Sequence, residues 1–143
     1  MTRVGIGLDV HAMAPDRPLV LGGVTLSSDG GLAGHSDADV LTHAVCDALL
    51  GAAGEGDLGR HFPSSEARWR DVSSLQMLSR VAEMVRTAGW EVTNIDAVVV
   101  AEQPRLAGHL RAMAAALADC LGVEAARVHV KATSTDGLGT IGR

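Results

Sequence analysis

The sequence has 143 residues, of which 47% are hydrophobic and 2% aromatic, and its net charge at pH 7 is −5. A chain of this length forms one domain with a substantial core, here built from aliphatic side chains. The acidic balance and the scarcity of aromatic rings argue against nucleic-acid binding, which needs a basic face and rings on which bases stack. Because small aliphatic domains gain burial by associating, we expect an oligomer.

Cys46 and Cys120 lie in apolar helical patterns without metal-binding or redox spacing, which is typical of reduced, buried thiols. The sequence does not open with a charged and then apolar signal segment. It also contains no apolar run of the roughly 18 residues that a membrane-spanning helix needs. We therefore predict a cytoplasmic protein without membrane contact.

The N-terminal segment, residues 3–11, alternates as a strand does, so Asp9 and His11 leave the same face. That spacing suits two metal ligands at a strand end, although a solvent-facing polar edge has the same pattern. Residues 18–26 predict a hairpin that turns at residues 22–23, both glycines.

Residues 34–43 contain two histidines, two aspartates and a serine, at a point where a glycine-rich loop leads into a predicted helix. Ser36 is the expected N-cap, with Asp39 in the capping-box position, and the free N–H groups at such a helix start suit an anion. Asp39 could serve only as a cap, and His43 could be a structural histidine. If this stretch meets the pair at the strand end, however, His43 completes a three-ligand metal site with an open position.

The first predicted helix ends near residue 53, and residues 54–66 predict a long loop, either functional or a connector in which Asp57 caps a short turn. The second half predicts a helix, a strand buried on both faces, a further helix, a strand and a polar loop. These lie at residues 73–89, 94–101, 107–121, 128–133 and 134–139. Lys131, the only lysine in the sequence, could contact a phosphate or be a surface charge at a strand end.

Five separated motifs follow one another along the chain. They are Asp9-x-His11, residues 34–39, His43, residues 56–59 with Phe62-Pro63, and residues 131–133. With them the chain, from residue 3 to its end, resembles the 2-C-methyl-D-erythritol 2,4-cyclodiphosphate synthase family of the non-mevalonate isoprenoid route. The resemblance implies one synthase domain over residues 1–143 with an α/β (α+β sandwich) fold, a mixed β-sheet with helices on one face, and a homotrimer with active sites between subunits.

The family cyclises 4-diphosphocytidyl-2-C-methyl-D-erythritol 2-phosphate and releases CMP, so the resemblance implies a metal-assisted intramolecular phosphoryl transfer. It implies zinc at Asp9, His11 and His43, a magnesium or manganese ion at Asp136, and catalytic roles for His35 and Ser134. The implied substrate-binding residues are Asp9, His11, His35, Ser36, Asp57, Leu58, Gly59, Phe62, Pro63, Ser64, Ser65, Glu66, Ala101, Pro104, Arg105, Leu106, Ala107, Lys131, Ala132, Thr133, Ser134, Asp136, Thr140 and Arg143.

The resemblance also implies which part of the substrate each segment binds. Residues 57–59 and 62–66 match the segments for the methylerythritol part, residues 101–107 match the cytidine pocket, and residues 133–136 match the diphosphate loop. The family continues with a final C-terminal strand that this sequence does not contain.

Several positions depart from the family pattern. Ser134 stands where threonine is usual, Asp136 stands where glutamate is common, and Ser64 and Glu66 replace a more acidic loop. Asp136 shortens the reach to a second metal by one methylene group.

The resemblance places two further residues at the axial cavity of the trimer, in which family members can hold an isoprenoid diphosphate. Arg143 matches an arginine that lines this cavity, and Leu8 lies near it.

Two other classes of protein use a similar ligand set. A phosphohydrolase would use water as nucleophile and release inorganic phosphate, and a non-catalytic zinc-stabilised trimer would need a fourth ligand, which the sequence does not show.

Overall fold

The computed structural model describes residues 1–27 and 30–141 as short strand pairs packed with helices. The elements in chain order are β1 (Met13–Ala14), β2 (Leu19–Leu21), β3 (Val24–Ser27), β4 (Gly31–Leu32), α1 (Val40–Ala53), α2 (Leu58–His61), α3 (Ser74–Thr87), β5 (Ile95–Val100), α4 (Leu110–Leu121) and β6 (Val128–Thr133). Short 3-10 turns lie at Ala67–Trp69 and Ala125–Arg127. The predicted α/β class is confirmed.

The strands form pairs. β1 pairs antiparallel with β4, β2 pairs antiparallel with β3, and β5 pairs parallel with β6. Within the described residues there are thus three two-stranded sheets where we expected one mixed sheet. A parallel pair needs a crossover connection, which α4 supplies between β5 and β6. Two-stranded sheets are marginal alone, so their stability depends on packing against the helices.

The β2–β3 hairpin has the predicted turn. Gly22 and Gly23 form it with φ angles of 55° and 74°, in the left-handed region that glycine enters without steric cost. Leu19 and Leu21 of β2 are buried, so the hairpin packs on the core through this strand.

Helices α1, α3 and α4 enclose the core: α1 contacts α3, and α4 contacts both α3 and β6. The fully buried apolar side chains of these helices are Cys46, Leu50, Leu78, Val81, Met113 and Leu117. Gly54 and Gly122 end α1 and α4 with left-handed φ angles, as expected for helix C-caps. In the described part of the chain, no helix has both the length and the apolar character needed to cross a bilayer.

Helix α4 starts later than predicted, at Leu110 instead of residue 107. The preceding residues close a separate turn, in which the His109 N–H donates to the Leu106 carbonyl oxygen at 2.8 Å. Gly108 lies inside this turn and has a low helix propensity, so a local turn competes successfully with another helical turn.

Strand β5 corrects a prediction of burial. We expected it to be buried on both faces, but Val98 and Val100 are 51% and 39% exposed, whereas Val99 is 7% exposed. The alternation arises because α1 and α4 cover the β5–β6 sheet on the face that carries Val99. The opposite face carries Val98 and Val100, which the other described residues leave partly uncovered.

Segment 3–11 is not assigned as a strand, although we predicted one, because no neighbouring strand of the chain pairs with it. Its side chains still alternate, and the outward-facing ones are 68–93% exposed: Val4, Ile6, Leu8 and Val10. The residues between them face helix α1. The segment therefore has the two-residue period of a strand without its hydrogen-bonded partner.

Candidate active site

Two glycines bring segment 3–11 against helix α1. A Cβ atom built on Gly5 would lie 1.8 Å from the Ala48 carbonyl oxygen, and one built on Gly7 would lie 1.8 Å from the Ala44 carbonyl oxygen. Such distances are impossible for a side chain, so only glycine permits this approach. Asp9 lies two residues after Gly7 in this extended segment, so its side chain points to the same side, toward α1.

Asp9, His11 and His43 each offer one ligand atom, and these atoms all lie within 4.8 Å of one another. Asp9 Oδ2 is 2.8 Å from His11 Nε2 and 3.1 Å from His43 Nδ1. The three side chains are 25%, 18% and 9% exposed, so the cluster is partly shielded but still accessible to solvent. Two imidazoles and a carboxylate form a donor set suited to a divalent metal with an open coordination position. The structure thus brings together the three predicted ligands.

The charge of Asp9 is stabilised by the two rings. Partial burial raises the pKa of Asp9, but hydrogen bonds and charge interactions with His43 and His11 together outweigh burial and hold it below its ordinary value. The carboxylate is therefore ionised at neutral pH, as a metal ligand must be.

The outer nitrogen of each histidine has a fixed partner. His11 Nδ1 donates to the Ala33 carbonyl oxygen, which leaves Nε2 facing Asp9. His43 Nε2 lies 2.8 Å from Ser74 Oγ and 3.2 Å from Ser36 Oγ, which leaves Nδ1 facing Asp9. Outer hydrogen bonds of this kind orient metal-binding histidines in proteins.

Asp39, and not Ser36, is the N-cap of α1, which corrects the predicted helix start. Its Oδ1 accepts from the Thr42 N–H at 3.0 Å, and its two oxygens also accept from Gly22 N and Gly23 N at 2.9 and 2.7 Å. Burial raises the pKa of Asp39, and these hydrogen bonds offset part of that effect. Because this carboxylate fills the start of α1, the expected anion site at that helix end is not open.

The loop that precedes α1 is braced from several sides. Arg17 donates to the Gly34 and Ser36 carbonyl oxygens at 2.5 and 2.6 Å. His35 Nε2 lies 3.2 Å from the Glu66 carbonyl oxygen. His35, a predicted catalytic residue, thus lies beside the segment predicted to bind the methylerythritol part.

Residues 57–66 contain a short helix where we predicted only loop. Asp57 caps α2 by accepting from the Arg60 N–H at 2.9 Å, so the capping alternative for this residue is confirmed. Asp47 of α1 anchors the same helix through the Leu58 N–H at 2.7 Å. Phe62 borders a groove of about 540 Å³, away from the Asp9/His11/His43 cluster.

The predicted cytidine segment lines a separate shallow groove of about 250 Å³. Its lining residues are Ala101, Glu102, Pro104, Arg105, Leu106, Ala107, Ala132 and Thr133. Glu102 connects this groove to the predicted diphosphate loop, because one of its carboxylate oxygens accepts from both the N–H and the hydroxyl of Thr135 at 2.7 Å. These two hydrogen bonds lower the pKa of Glu102.

The predicted diphosphate loop is exposed. Ser134 Oγ donates to Asp136 Oδ1 at 3.1 Å, and Asp136 has a φ angle of 54°. Lys131 donates to Asp96 Oδ2 at 2.7 Å on the uncovered face of the β5–β6 sheet, as a surface ion pair. Thr140 is exposed, and Arg143 lies outside the described residues.

The structure does not bring all predicted site residues together in one chain. Among the hydrogen bonds and ion pairs of the described residues, none joins residues 101–107 or 131–140 to the metal cluster. Ser74 and Arg17 contact the cluster or its loop and were missed by sequence reasoning. Neither carries a motif, since each acts through a contact between residues distant in the sequence.

The chain is similar to known proteins over nearly its whole length. The YgbB family model matches residues 2–143. The 2-C-methyl-D-erythritol 2,4-cyclodiphosphate synthase of Desulfosudis oleivorans is 56% identical over 141 residues, which cover 99% of this chain and 84% of that protein. The structure of the bifunctional IspDF from Campylobacter jejuni covers 100% of this chain and 39% of its own, at 41% identity and a TM-score of 0.96.

A CDP-bound structure of a 2C-methyl-D-erythritol-2,4-cyclodiphosphate synthase is also similar. It is 33% identical, with a TM-score of 0.88, over 95% of this chain and 91% of its own. The match thus extends through every element that carries the cluster and the groove. On this evidence, the chain belongs to the YgbB family.

Proposed function

We propose that the protein converts 4-diphosphocytidyl-2-C-methyl-D-erythritol 2-phosphate into 2-C-methyl-D-erythritol 2,4-cyclodiphosphate and CMP. An oxygen of the 2-phosphate forms a bond to the β-phosphorus, and the bond from that phosphorus to the departing CMP breaks. The observation that carries this proposal is the Asp9/His11/His43 cluster, in a chain whose 56% identical relative bears the name of this synthase.

The chemistry needs positioning more than proton transfer. A phosphate is already anionic at neutral pH, so its oxygen attacks without a strong general base. The substrate is flexible and highly charged, and holding its two reacting groups together supplies up to about 7–11 kcal/mol of the barrier reduction. Donors aimed at the developing charge on the phosphoryl oxygens contribute the remainder.

Asp9, His11 and His43 would hold zinc, for which two imidazoles, a carboxylate and an open position are an established catalytic arrangement. When bound, zinc supplies Lewis-acid stabilisation of negative charge on the phosphates. His35 and Ser36 belong to the braced loop beside the cluster and would position the same phosphates. Segments 57–59 and 62–66 would hold the methylerythritol part, with Glu66 next to His35.

The nucleotide would occupy the groove of residues 101–107, with its diphosphate at the loop that follows β6. The Ser134 hydroxyl donates to the Asp136 carboxylate in this loop. Asp136 would supply an oxygen ligand to a magnesium or manganese ion, which would neutralise phosphate charge. Lys131 would compensate phosphate charge from the neighbouring strand position, although it pairs with Asp96 in the single chain.

We further propose a homotrimer in which the groove of one subunit completes the metal centre of the next. Four aliphatic side chains in a row, at positions 4, 6, 8 and 10, are 68% or more exposed, and Val98 is 51% exposed. Such a row on an unpaired extended segment is a typical protein–protein contact. Leu8 lies in this row, so an isoprenoid diphosphate on the trimer axis would lie near it.

We place the enzyme in the cytoplasm, where the free thiols of Cys46 and Cys120 stay reduced.

The trimer is tested by Ile6→Asp, which places a charge in the exposed row, with light scattering after size-exclusion chromatography. We expect a monomer that is folded by circular dichroism and inactive, since neither half-site is then complete. Ala115→Asp, on the exposed side of α4, is the matched control and should remain trimeric. A trimeric, active Ile6→Asp protein would exclude this interface.

The reaction is tested by phosphorus NMR of the protein with its proposed substrate, zinc and magnesium, before and after chelation. We expect a cyclic diphosphate and CMP, with loss of both products after chelation and recovery on adding zinc. Inorganic phosphate in place of the cyclic product would identify a phosphohydrolase. A folded, zinc-loaded trimer that leaves the substrate intact would refute the proposed function.

A further inference from the structure

The start of helix α3 is capped from a distance. Ser73 is its N-cap residue but makes no capping hydrogen bond through its side chain. Asp37 takes over this function: its Oδ2 accepts from the Ser74 N–H at 2.9 Å, and its Oδ1 accepts from the Ser74 hydroxyl. A carboxylate at a helix N-terminus is stabilised by the free N–H groups and by the helix dipole.

The same serine touches a predicted metal ligand. Ser74 Oγ lies 2.8 Å from His43 Nε2, and both residues are buried. Asp37 has no role in the substrate or metal contacts assigned above. Its carboxylate is therefore linked to the metal centre through one buried hydroxyl group.

We propose that Asp37 and Ser74 are positioning residues that keep the proton of His43 on Nε2 and so reserve Nδ1 for the metal. A hydroxyl group has one hydrogen, and a carboxylate only accepts. The Ser74 hydroxyl donates its hydrogen to Asp37. Its oxygen can therefore only accept a hydrogen bond from the His43 ring, so the hydrogen between these two residues is bonded to Nε2. The role rests on the metal site of the proposed function.

The nearby groups agree with this assignment. Ser36 Oγ lies 3.2 Å from His43 Nε2 and accepts from the Ala38 N–H at 3.2 Å. A hydroxyl oxygen has two lone pairs, so a second one is available to the same ring proton. On the other side of the ring, Nδ1 lies 3.1 Å from Asp9 Oδ2, inside the ligand cluster. His11 is oriented by a different device, the Ala33 carbonyl oxygen at its Nδ1, and presents Nε2 instead. The two rings therefore enter the cluster through opposite nitrogens.

Asp37→Asn tests the assignment because it alters the direction of one hydrogen bond. If the amide NH2 faces the Ser74 oxygen, the hydroxyl is released and donates to His43 Nε2, which moves the ring proton to Nδ1. Nitrogen NMR of the metal-free protein, at a pH where the ring is neutral, distinguishes the two tautomers. Without metal, the Asp9 carboxylate, 3.1 Å from Nδ1, also attracts the ring proton, so the readout is the change between the two proteins. We expect a larger fraction of the proton on Nδ1 in the variant than in the parent.

Zinc affinity of the metal-free protein, measured by competition with a chromophoric chelator, is the second readout. Loss of an outer-shell partner weakens metal binding by about 10–100-fold, and we expect this for Ser74→Ala and Asp37→Asn. Ser73→Ala is the matched control, since its side chain makes no capping hydrogen bond, and should bind zinc as the parent does.

Outcomes that contradict the inference are distinct from those that contradict the function. An equal fraction of the ring proton on Nδ1 in the parent and in Asp37→Asn, or a Ser74→Ala protein that binds zinc as tightly as Ser73→Ala, would overturn the inference while cyclic diphosphate formation stands. A protein that shows both expected effects but forms no cyclic diphosphate would support the inference and refute the proposed function.

Discussion

The metal cluster and the nucleotide groove are built in different ways. The cluster side chains are at most 25% exposed and are held by hydrogen bonds with Ser74 of α3 and with Ala33 and Ser36 of the loop before α1. The groove and the loop after β6 are exposed, and their hydrogen bonds, such as that between Ser134 and Asp136, are mostly local. The cluster is complete within one chain, whereas the groove lies open.

The difference shows which part of the site is already ordered in one chain, the metal cluster, and which part, the groove and its loop, remains to be ordered by the neighbouring subunit and the ligand. Buried polar networks with every partner satisfied hold a fixed geometry, while exposed hydrogen bonds compete with water. Changes in the cluster should therefore have large effects on both structure and activity. Changes in the exposed loop should act locally.

The largest effect is expected for His43→Ala, which removes a ligand from the cluster. Activity should fall by at least about 10²–10³-fold, the usual loss when one group that stabilises transition-state charge is removed. Turnover and bound zinc are measured together, with circular dichroism as a check of folding. His129→Ala is the control, because that residue is exposed and its ring hydrogen-bonds to the Ala126 carbonyl oxygen, outside the cluster. A zinc-free His43→Ala protein with near-parent activity would contradict the assignment.

Gly7→Ala should disturb the same cluster through the backbone. The added Cβ would lie 1.8 Å from the Ala44 carbonyl oxygen, so segment 3–11 must move away from α1 and carry Asp9 with it. We expect a decrease of about 1–3 kcal/mol in the free energy of unfolding, measured in urea, and weaker zinc binding.

Gly51→Ala, in the exposed part of α1, is the opposite case. A Cβ there meets nothing within 4 Å, so the substitution should raise the free energy of unfolding by about 0.5–1 kcal/mol. Equal effects of the two substitutions would show that segment 3–11 does not depend on its close approach to α1.

Asp39→Asn should weaken the junction between the hairpin and α1 without touching a ligand. Both carboxylate oxygens accept hydrogen bonds, from Gly22, Gly23 and Thr42, and an amide NH2 would face one of these donors. We expect a loss of about 1–3 kcal/mol in the free energy of unfolding. Asp57→Asn, at the exposed cap of α2, should have a smaller effect in the same urea titration.

The smallest effect is expected for Glu102→Gln in the exposed half. The pKa of Glu102 is lowered by its hydrogen bonds from Thr135, so its stabilising effect is complete above the ordinary value of 4.5 and is lost as the pH falls through the lowered value. The Thr135 amide proton shift, followed by NMR, should titrate in the parent protein and not in the variant. A titration that persists in Glu102→Gln would assign it to another carboxyl group.

Sequence patterns were sufficient for elements that depend on neighbouring residues. The Gly22-Gly23 turn, the glycine-capped ends of α1 and α4, and β6 at residues 128–133 follow from local conformational preference and apolar periodicity. The alternation of segment 3–11 also placed Asp9 and His11 on one face, because this period belongs to any extended chain.

Only the tertiary structure decided which groups meet. Asp39 replaces Ser36 as the cap because the N–H groups of the hairpin turn, distant in the sequence, share its carboxylate. Ser74 orients His43 from the start of another helix, a contact that no spacing encodes. Local preference fixes backbone conformation over a few residues, whereas a hydrogen bond or a coordination site depends on the packing of whole elements, which the sequence specifies only collectively.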